Sequence, residues 1–252
     1  MSSAESDDAR PKEEGGGPRM GFLDHLEELR RRVFRSALAV ALGFGVSLFF
    51  ADQILHWLLD PVQKAVGTLA VMRPSEGFMN KMKAALVGGI VVGVPVILYQ
   101  LWSFVSPGLY RRERRWILPV IASGTVLFLG GVAFCYFVAM PSAINFLAQQ
   151  SKGYQSVISL DSAFAFSTKL LLGMGAVFEM PLIVLALARL GLVTPRFLWK
   201  KFDVALWVIF LIAAIVTPTP DVITCTIFAL PMILLYLLSI AVAWLARPKP
   251  AA

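Results

Sequence analysis

Long uninterrupted apolar runs organise this chain. They lie at about Val33–Ala51, Ala84–Leu101, Trp116–Val138, Ala163–Ala188, Val204–Val216 and Val222–Ala246. A bilayer-spanning helix needs about 20 predominantly apolar residues, with a range of about 17–25. The pattern therefore predicts an all-α polytopic membrane protein with six transmembrane helices. The fifth run is short, which asks for a thinned bilayer or for neighbouring helices that cover its ends. Thr217-Pro218-Thr219-Pro220-Asp221 separates the fifth and sixth runs as a tight turn, so those two helices form a hairpin. Ahead of the first run, Phe22 to Arg32 has helical periodicity. Phe22, Leu26, Leu29 and Val33 share one face, and Asp24, Glu27, Glu28 and Arg31 take the other. This reads as an amphipathic helix at the membrane surface that runs straight into the first span.

Composition agrees with that pattern. Hydrophobic residues make up 58% and charged residues 15%, against about 45–50% and about 25% in soluble domains. The net charge of +7 could suggest nucleic acid, but the basic residues sit in blocks beside the apolar runs, as topology signals do. Seventeen of the 23 lysines and arginines fall on one side of the expected spans, and that side is read as cytoplasmic. An even number of spans then places both termini there. Residues 1–19, rich in Ser, Glu, Asp, Gly and Pro, are expected to be a disordered cytoplasmic tail. Residues 20–246 form the membrane domain, and 247–252 a second cytoplasmic tail. The N-terminus lacks the layout of a cleavable signal peptide. Cys135 and Cys225 are isolated and read as free thiols. No fixed-period repeat and no inverted repeat is visible.

Candidates for bond chemistry are few. There is no GxxxxGK[ST] and no HExxH, and the two histidines, His25 and His56, are far apart. An enzyme is not expected, nor is a metal or cofactor. The sharpest single feature is Glu179, set between Leu170–Phe178 and Met180–Ala188 with Pro181 close behind. An ionised carboxylate at mid-bilayer costs about 2.5–3.5 kcal/mol on the insertion scale, so Glu179 faces protein or a water-filled cavity, or is protonated. It is either a glutamic acid bonded to a neighbouring helix or a docking point or proton site. Glu113 stands among Arg111, Arg112, Arg114 and Arg115 after an aromatic lead-in that includes Phe104 and Tyr110. Simple i,i+4 pairing of Glu27 with Arg31 and Glu28 with Arg32, worth about 0.3–0.5 kcal/mol each, would account for the acids of the first helix. Asp221 suits a helix N-cap. Pro61 most simply starts or ends a short helix, and Phe78 suits an interfacial aromatic.

Four motifs in order carry a resemblance. They are Asp24-His25-Leu26-Glu27-Glu28-Leu29-Arg30-Arg31-Arg32, the segment Phe104 through Pro107-Gly108-Leu109-Tyr110 to Glu113-Arg114-Arg115, Phe178-Glu179-Met180-Pro181, and Thr217-Pro218-Thr219-Pro220-Asp221. From about Gly21 to Trp244 the chain resembles the TatC family, receptor subunits of the twin-arginine protein translocase. The resemblance implies a six-helix fold with a concave, cup-like face in the cytoplasmic membrane of a prokaryote. It implies binding of the twin-arginine signal peptides of folded cargo, action with TatA-like and TatB-like single-span partners, self-association in a larger complex, and use of the proton-motive force. By position, Glu28 and Glu113 would take the paired arginines, because a guanidinium fork pairs bidentately with a carboxylate. Arg30, Arg32 and Arg111 would orient those acids, and His25, Phe104 and Tyr110 would complete the site. Glu179, Asp221, Cys225, Pro61 and Phe78 would serve the cavity and the partner helices. Cys225 departs from the family, which often has Gln there. The alternative reading is a proton-coupled small-solute transporter that uses Glu179.

Overall fold

The computed structural model describes residues 22–105, 117–152, 157–217 and 221–245, with side chains from 26–104, 118–152, 157–217 and 221–244. Its described elements are helices, α1 (Phe22–Leu48), α2 (Ala51–Val66), α3 (Glu76–Val105), α4 (Ile117–Phe134), α5 (Met140–Gln150), α6 (Leu160–Phe178), α7 (Met180–Arg189), α8 (Pro195–Lys200), α9 (Phe202–Val216) and α10 (Val222–Leu245). A π-helical stretch, Cys135–Ala139, joins α4 to α5 without a break. Four apolar stretches are long enough to cross a bilayer, namely Glu76–Phe104, Leu118–Gln150, Leu160–Arg189 and Val222–Trp244. A fifth comes from α1, which is bent by 89° from α2. The short apolar helix α9 makes the arrangement compatible with six crossings, and at about 1.5 Å per residue it measures about 22 Å.

The apolar runs marked the cores of the spans but not their ends. The second span extends to Glu76 and Val105, and the third continues through the π-helical stretch to Gln150. These polar extensions carry α3 and α5 past the apolar zone. There they meet α2, which the apolar runs did not reveal. Pro61 neither starts nor ends a helix but lies inside α2. The signal for α2 is amphipathic: Leu55, Leu58, Leu59 and Val62 recur at helical spacing and are all buried. Gly67, at φ 84°, ends α2 in a backbone conformation that other residues adopt at a cost.

The seam between α1 and α3 is the most extensive helix pair. A Cβ on Gly89 would stand 2.5 Å from the Phe44 nitrogen, and one on Gly43 would stand 2.8 Å from the Gly89 carbonyl oxygen. Backbones this close depend on small residues, as expected where lipid removes the hydrophobic drive between helices. Leu26, Leu29 and Val33 are exposed, while Glu28 and Arg32 are half-buried. In a bilayer the apolar face of α1 turns to lipid, so the small residues make the protein contact.

The fourth span is broken. Glu179 ends α6 and precedes α7, with φ −75° and ψ −6°. Pro181 has no N–H to give to the preceding turn, which explains the break. Gly191, at φ 73°, closes α7 as Leu192 N–H donates to the Leu187 carbonyl at 3.0 Å. Lys169 sits within α6, and its Nζ donates to the Ile215 carbonyl at the end of α9 at 2.9 Å.

Candidate functional site

The first candidate region is the basic end of the α1–α3 pair. Val40 packs against Gly93. Twelve residues back along α1 is Glu28, and twelve residues on along α3 is Val105, so the antiparallel register sets Glu28 level with the end of α3. Phe104 sits there, partly buried. Glu28 Oε1 accepts two bonds from Arg32, one of them from Nε at 3.0 Å. Its side chain and that of Arg32 are 19% and 18% exposed. Glu28 Oε2 is buried and accepts from no described residue. The neighbouring Glu27–Arg31 pair, by contrast, is 66% exposed on both sides and has the weight of an ordinary surface pair. Arg30 is exposed. His25 lies in α1 with its side chain outside those described, and Tyr110, Arg111 and Glu113 lie outside the described residues.

The second region surrounds Glu179. The residue is 8% exposed, and neither carboxyl oxygen has a hydrogen-bond partner among the described residues. A Cβ on Gly124 of α4 would stand 3.1 Å from Glu179 Oε2, so the carboxyl packs directly against that helix. It also lines a cavity of about 190 Å³ between α3 and α7, whose other walls include Leu98, Trp102, Leu182 and Ala186. Trp102 went unremarked in the sequence except as part of an aromatic lead-in. Its indole Nε1 is likewise buried in the same cavity, without a partner among the described residues. Glu179 is not the only polar group within the spans: Gln100 and Ser167 are buried too, each with a side-chain oxygen that has no partner.

The remaining candidates do not join Glu179. Asp221 caps α10, its Oδ1 accepting from Thr224 N–H at 2.6 Å, which is the N-cap geometry its position suggested. Cys225 Sγ lies 3.6 Å from Thr217 Oγ1 and ties the α9–α10 hairpin across its turn. Pro61 lines a pocket with Asp60, Lys64, Tyr136 and Asn145. Phe78, near the start of α3, is 67% exposed. These four belong to the face opposite the N-terminal end of α1, at separate places. Among the described residues no group of His, Cys, Asp and Glu could hold a metal ion.

Sequence reasoning missed a further cluster on that face. Glu76 Oε2 accepts from the N–H groups of Met72 at 2.6 Å and Arg73 at 3.4 Å, and its Oε1 accepts from Asp161 N–H at 3.2 Å. Ala70 pairs with the 158–160 backbone beside it, and Lys83 bonds Asp161. An acid in the first turn of α3 was the available signal.

Comparison with known proteins accounts for the whole arrangement. Residues 24–231 match the model of the family described as Sec-independent protein translocase protein (TatC). A Sec-independent protein translocase protein TatC from Koribacter versatilis is 42% identical over 236 residues, covering 91% of this chain and 87% of that protein. TatC from Helicobacter pylori strain J99 is 39% identical, with 90% of each chain covered. The crystal structure of the twin arginine translocase receptor TatC superposes with a TM-score of 0.75 at 34% identity, covering 88% of this chain and 99% of that one. The chain is therefore a helical membrane protein and a protein-translocase component, and it belongs to the TatC family.

Proposed function

We propose that this chain is the receptor that binds twin-arginine signal peptides at its basic face, which is the cytoplasmic one, and organises small single-span partners for export driven by the proton-motive force. The observation that carries the reading is Glu28. It is a half-buried carboxylate of α1, level with the end of α3, with one oxygen held by Arg32 and the other uncommitted among the described residues. A guanidinium entering there meets an acceptor already fixed in direction. Charge-assisted bonds of this kind are about twice as strong as neutral ones. The Glu28–Arg32 pair is a local i,i+4 contact, so an incoming bidentate arginine can displace Arg32 at small cost.

Glu113 is assigned the second arginine. His25, Arg30, Arg32, Arg111, Phe104 and Tyr110 are assigned to orienting the acids and packing the apolar part of the signal. Glu179, Asp221, Cys225, Pro61 and Phe78 are assigned to partner helices resembling TatA and TatB. The superposed relative is a twin arginine translocase receptor, which supports the assignment. Membership of a translocase family speaks against the solute-transporter alternative.

The test is a pulldown of the protein in mild detergent with a signal peptide carrying Arg-Arg or Lys-Lys. Binding that requires Arg-Arg and is lost in Glu28→Gln and Glu113→Gln is expected. Equal capture of both peptides by folded protein, with its small partners present, would remove the carboxylate clamp.

A further inference from the structure

A third region is used by none of the assignments above. α7 ends at Arg189, the chain turns out at Gly191, and α8 begins at Pro195 under the Thr194 cap, whose Oγ1 accepts from Phe197 N–H at 3.2 Å. This turn and the end of α10 enclose a cavity of about 440 Å³. Arg189 enters it from α7 and Arg196 from α8, and Thr194 adds a hydroxyl. Val193, Pro195 and Ala243 supply apolar wall, and none of the described lining residues is acidic.

Arg189 alone has an ordinary explanation, because a cation in the last turn suits the negative end of a helix. Arg196 has none of that kind. It stands in the first turn of α8, where a cation is disfavoured, and still faces the same cavity. Two arginines lining one recess, with no acid among its described lining residues, are suited to a phosphate, which guanidinium groups can grip bidentately. Arg189 is half-buried, whereas Arg196 is exposed.

The depth of the recess selects the source of that phosphate. It lies where two apolar spans end, at Arg189 and Trp244. Around it Leu192, Phe197 and Trp199 are exposed by 69%, 53% and 66%. Exposed aromatics at the end of a span sit at headgroup level, and basic pockets between spans hold acidic headgroups. We propose that this recess is a binding site for the phosphodiester headgroup of an anionic phospholipid, with Arg189 and Arg196 on the phosphate and the acyl chains running along the outer faces of α7 and α10. This site is independent of signal-peptide recognition.

The experiment is native mass spectrometry of the intact chain released from mild detergent. The protein is first equilibrated with equal amounts of phosphatidylglycerol and phosphatidylcholine of matched chain length. Phosphatidylglycerol is expected to be retained about tenfold over phosphatidylcholine, given the pull of two cations at the surface. R189Q/R196Q should bring the ratio close to one, and R196Q alone, at an exposed position expected to fold, should give an intermediate ratio. K200Q/K201Q removes the same charge just outside the recess and should leave the preference intact. Equal retention of the two lipids by the unaltered chain, or an equal loss in K200Q/K201Q, would overturn the site. Displacement of the retained phosphatidylglycerol by millimolar inorganic phosphate would overturn the lipid as its ligand.

Discussion

Glu76 and Glu179 are buried to the same degree, each 8% exposed, yet the protein treats them in opposite ways. Glu76 accepts from three backbone N–H groups, two on the segment just before α3 and one at the start of α6. It fixes two connections that are remote in sequence. Glu179 accepts nothing among the described residues, though it sits where a partner is needed most. Burying a polar group without a partner is expensive, so Glu179 is not there for the stability of this chain alone. The contrast separates a carboxylate whose partners lie within the fold from one that has none among the described residues. The second kind is what the partner-docking assignment requires.

Breaking the satisfied acid should have the largest effect. Glu76→Ala leaves the Met72, Arg73 and Asp161 N–H groups without an acceptor. Removing one side of a buried charged network costs about 3 kcal/mol. A chain of this size should lose about 9 °C in its unfolding midpoint, measured by a thermal scan in detergent. Glu76→Gln, which keeps one acceptor oxygen, should fall between. A midpoint unchanged in the alanine variant would mean that the tie contributes nothing.

Glu28 lies between the two extremes, half satisfied by Arg32 and half open. Glu28→Gln should weaken capture of an Arg-Arg signal peptide about tenfold, the loss of one charge-assisted pair. Its unfolding midpoint should move by less than about 2 °C, because the pair it forms in the resting protein is a local one. A drop in midpoint that matches the loss of binding would make Glu28 a structural acid like Glu76.

Glu179→Leu should do the reverse of Glu76→Ala. Replacing an unpartnered buried carboxyl by an apolar side chain of similar reach should raise stability by about 1 kcal/mol. The same variant should lose copurifying single-span partners. A destabilised variant that retains its partners would show that Glu179 is satisfied within the chain, and the contrast with Glu76 would collapse.

The difference between these acids also marks how far the sequence could be read. An acid in the middle of an apolar run is visible without a fold, and Glu179 stands out in the sequence for that reason. Glu76 is not visible, because one of its partners lies 85 residues away and is a backbone N–H, which no residue pattern encodes. The spans follow the same rule. Lipid-facing lengths were legible as apolar runs, whereas α2 and the polar ends of α3 and α5 depend on contacts with one another. The two faces of α1 were legible as a surface helix, with Leu26, Leu29 and Val33 exposed, but the shielding of Glu28 and Arg32 was not, because it depends on the surrounding fold.

Asp161 offers the finest cut, because it contributes to the same tie twice. Its backbone N–H donates to buried Glu76, and its carboxylate pairs with Lys83, where both side chains are about half exposed, 44% for Lys83 and 50% for Asp161. If burial decides what an interaction is worth, the two should differ sharply even though they share a residue. Asp161→Asn removes only the ion pair and a charge in the first turn of α6. Exposed pairs contribute about 0.2–1 kcal/mol, so a loss of about 0.5 kcal/mol is expected, a shift of about 1–2 °C. That loss should fade as salt rises to about 1 M, where the Debye length falls to about 3 Å, while the Glu76→Ala loss should persist. A salt-independent loss in Asp161→Asn as large as that of Glu76→Ala would place the strength of the tie in the surface pair and not in the buried carboxylate.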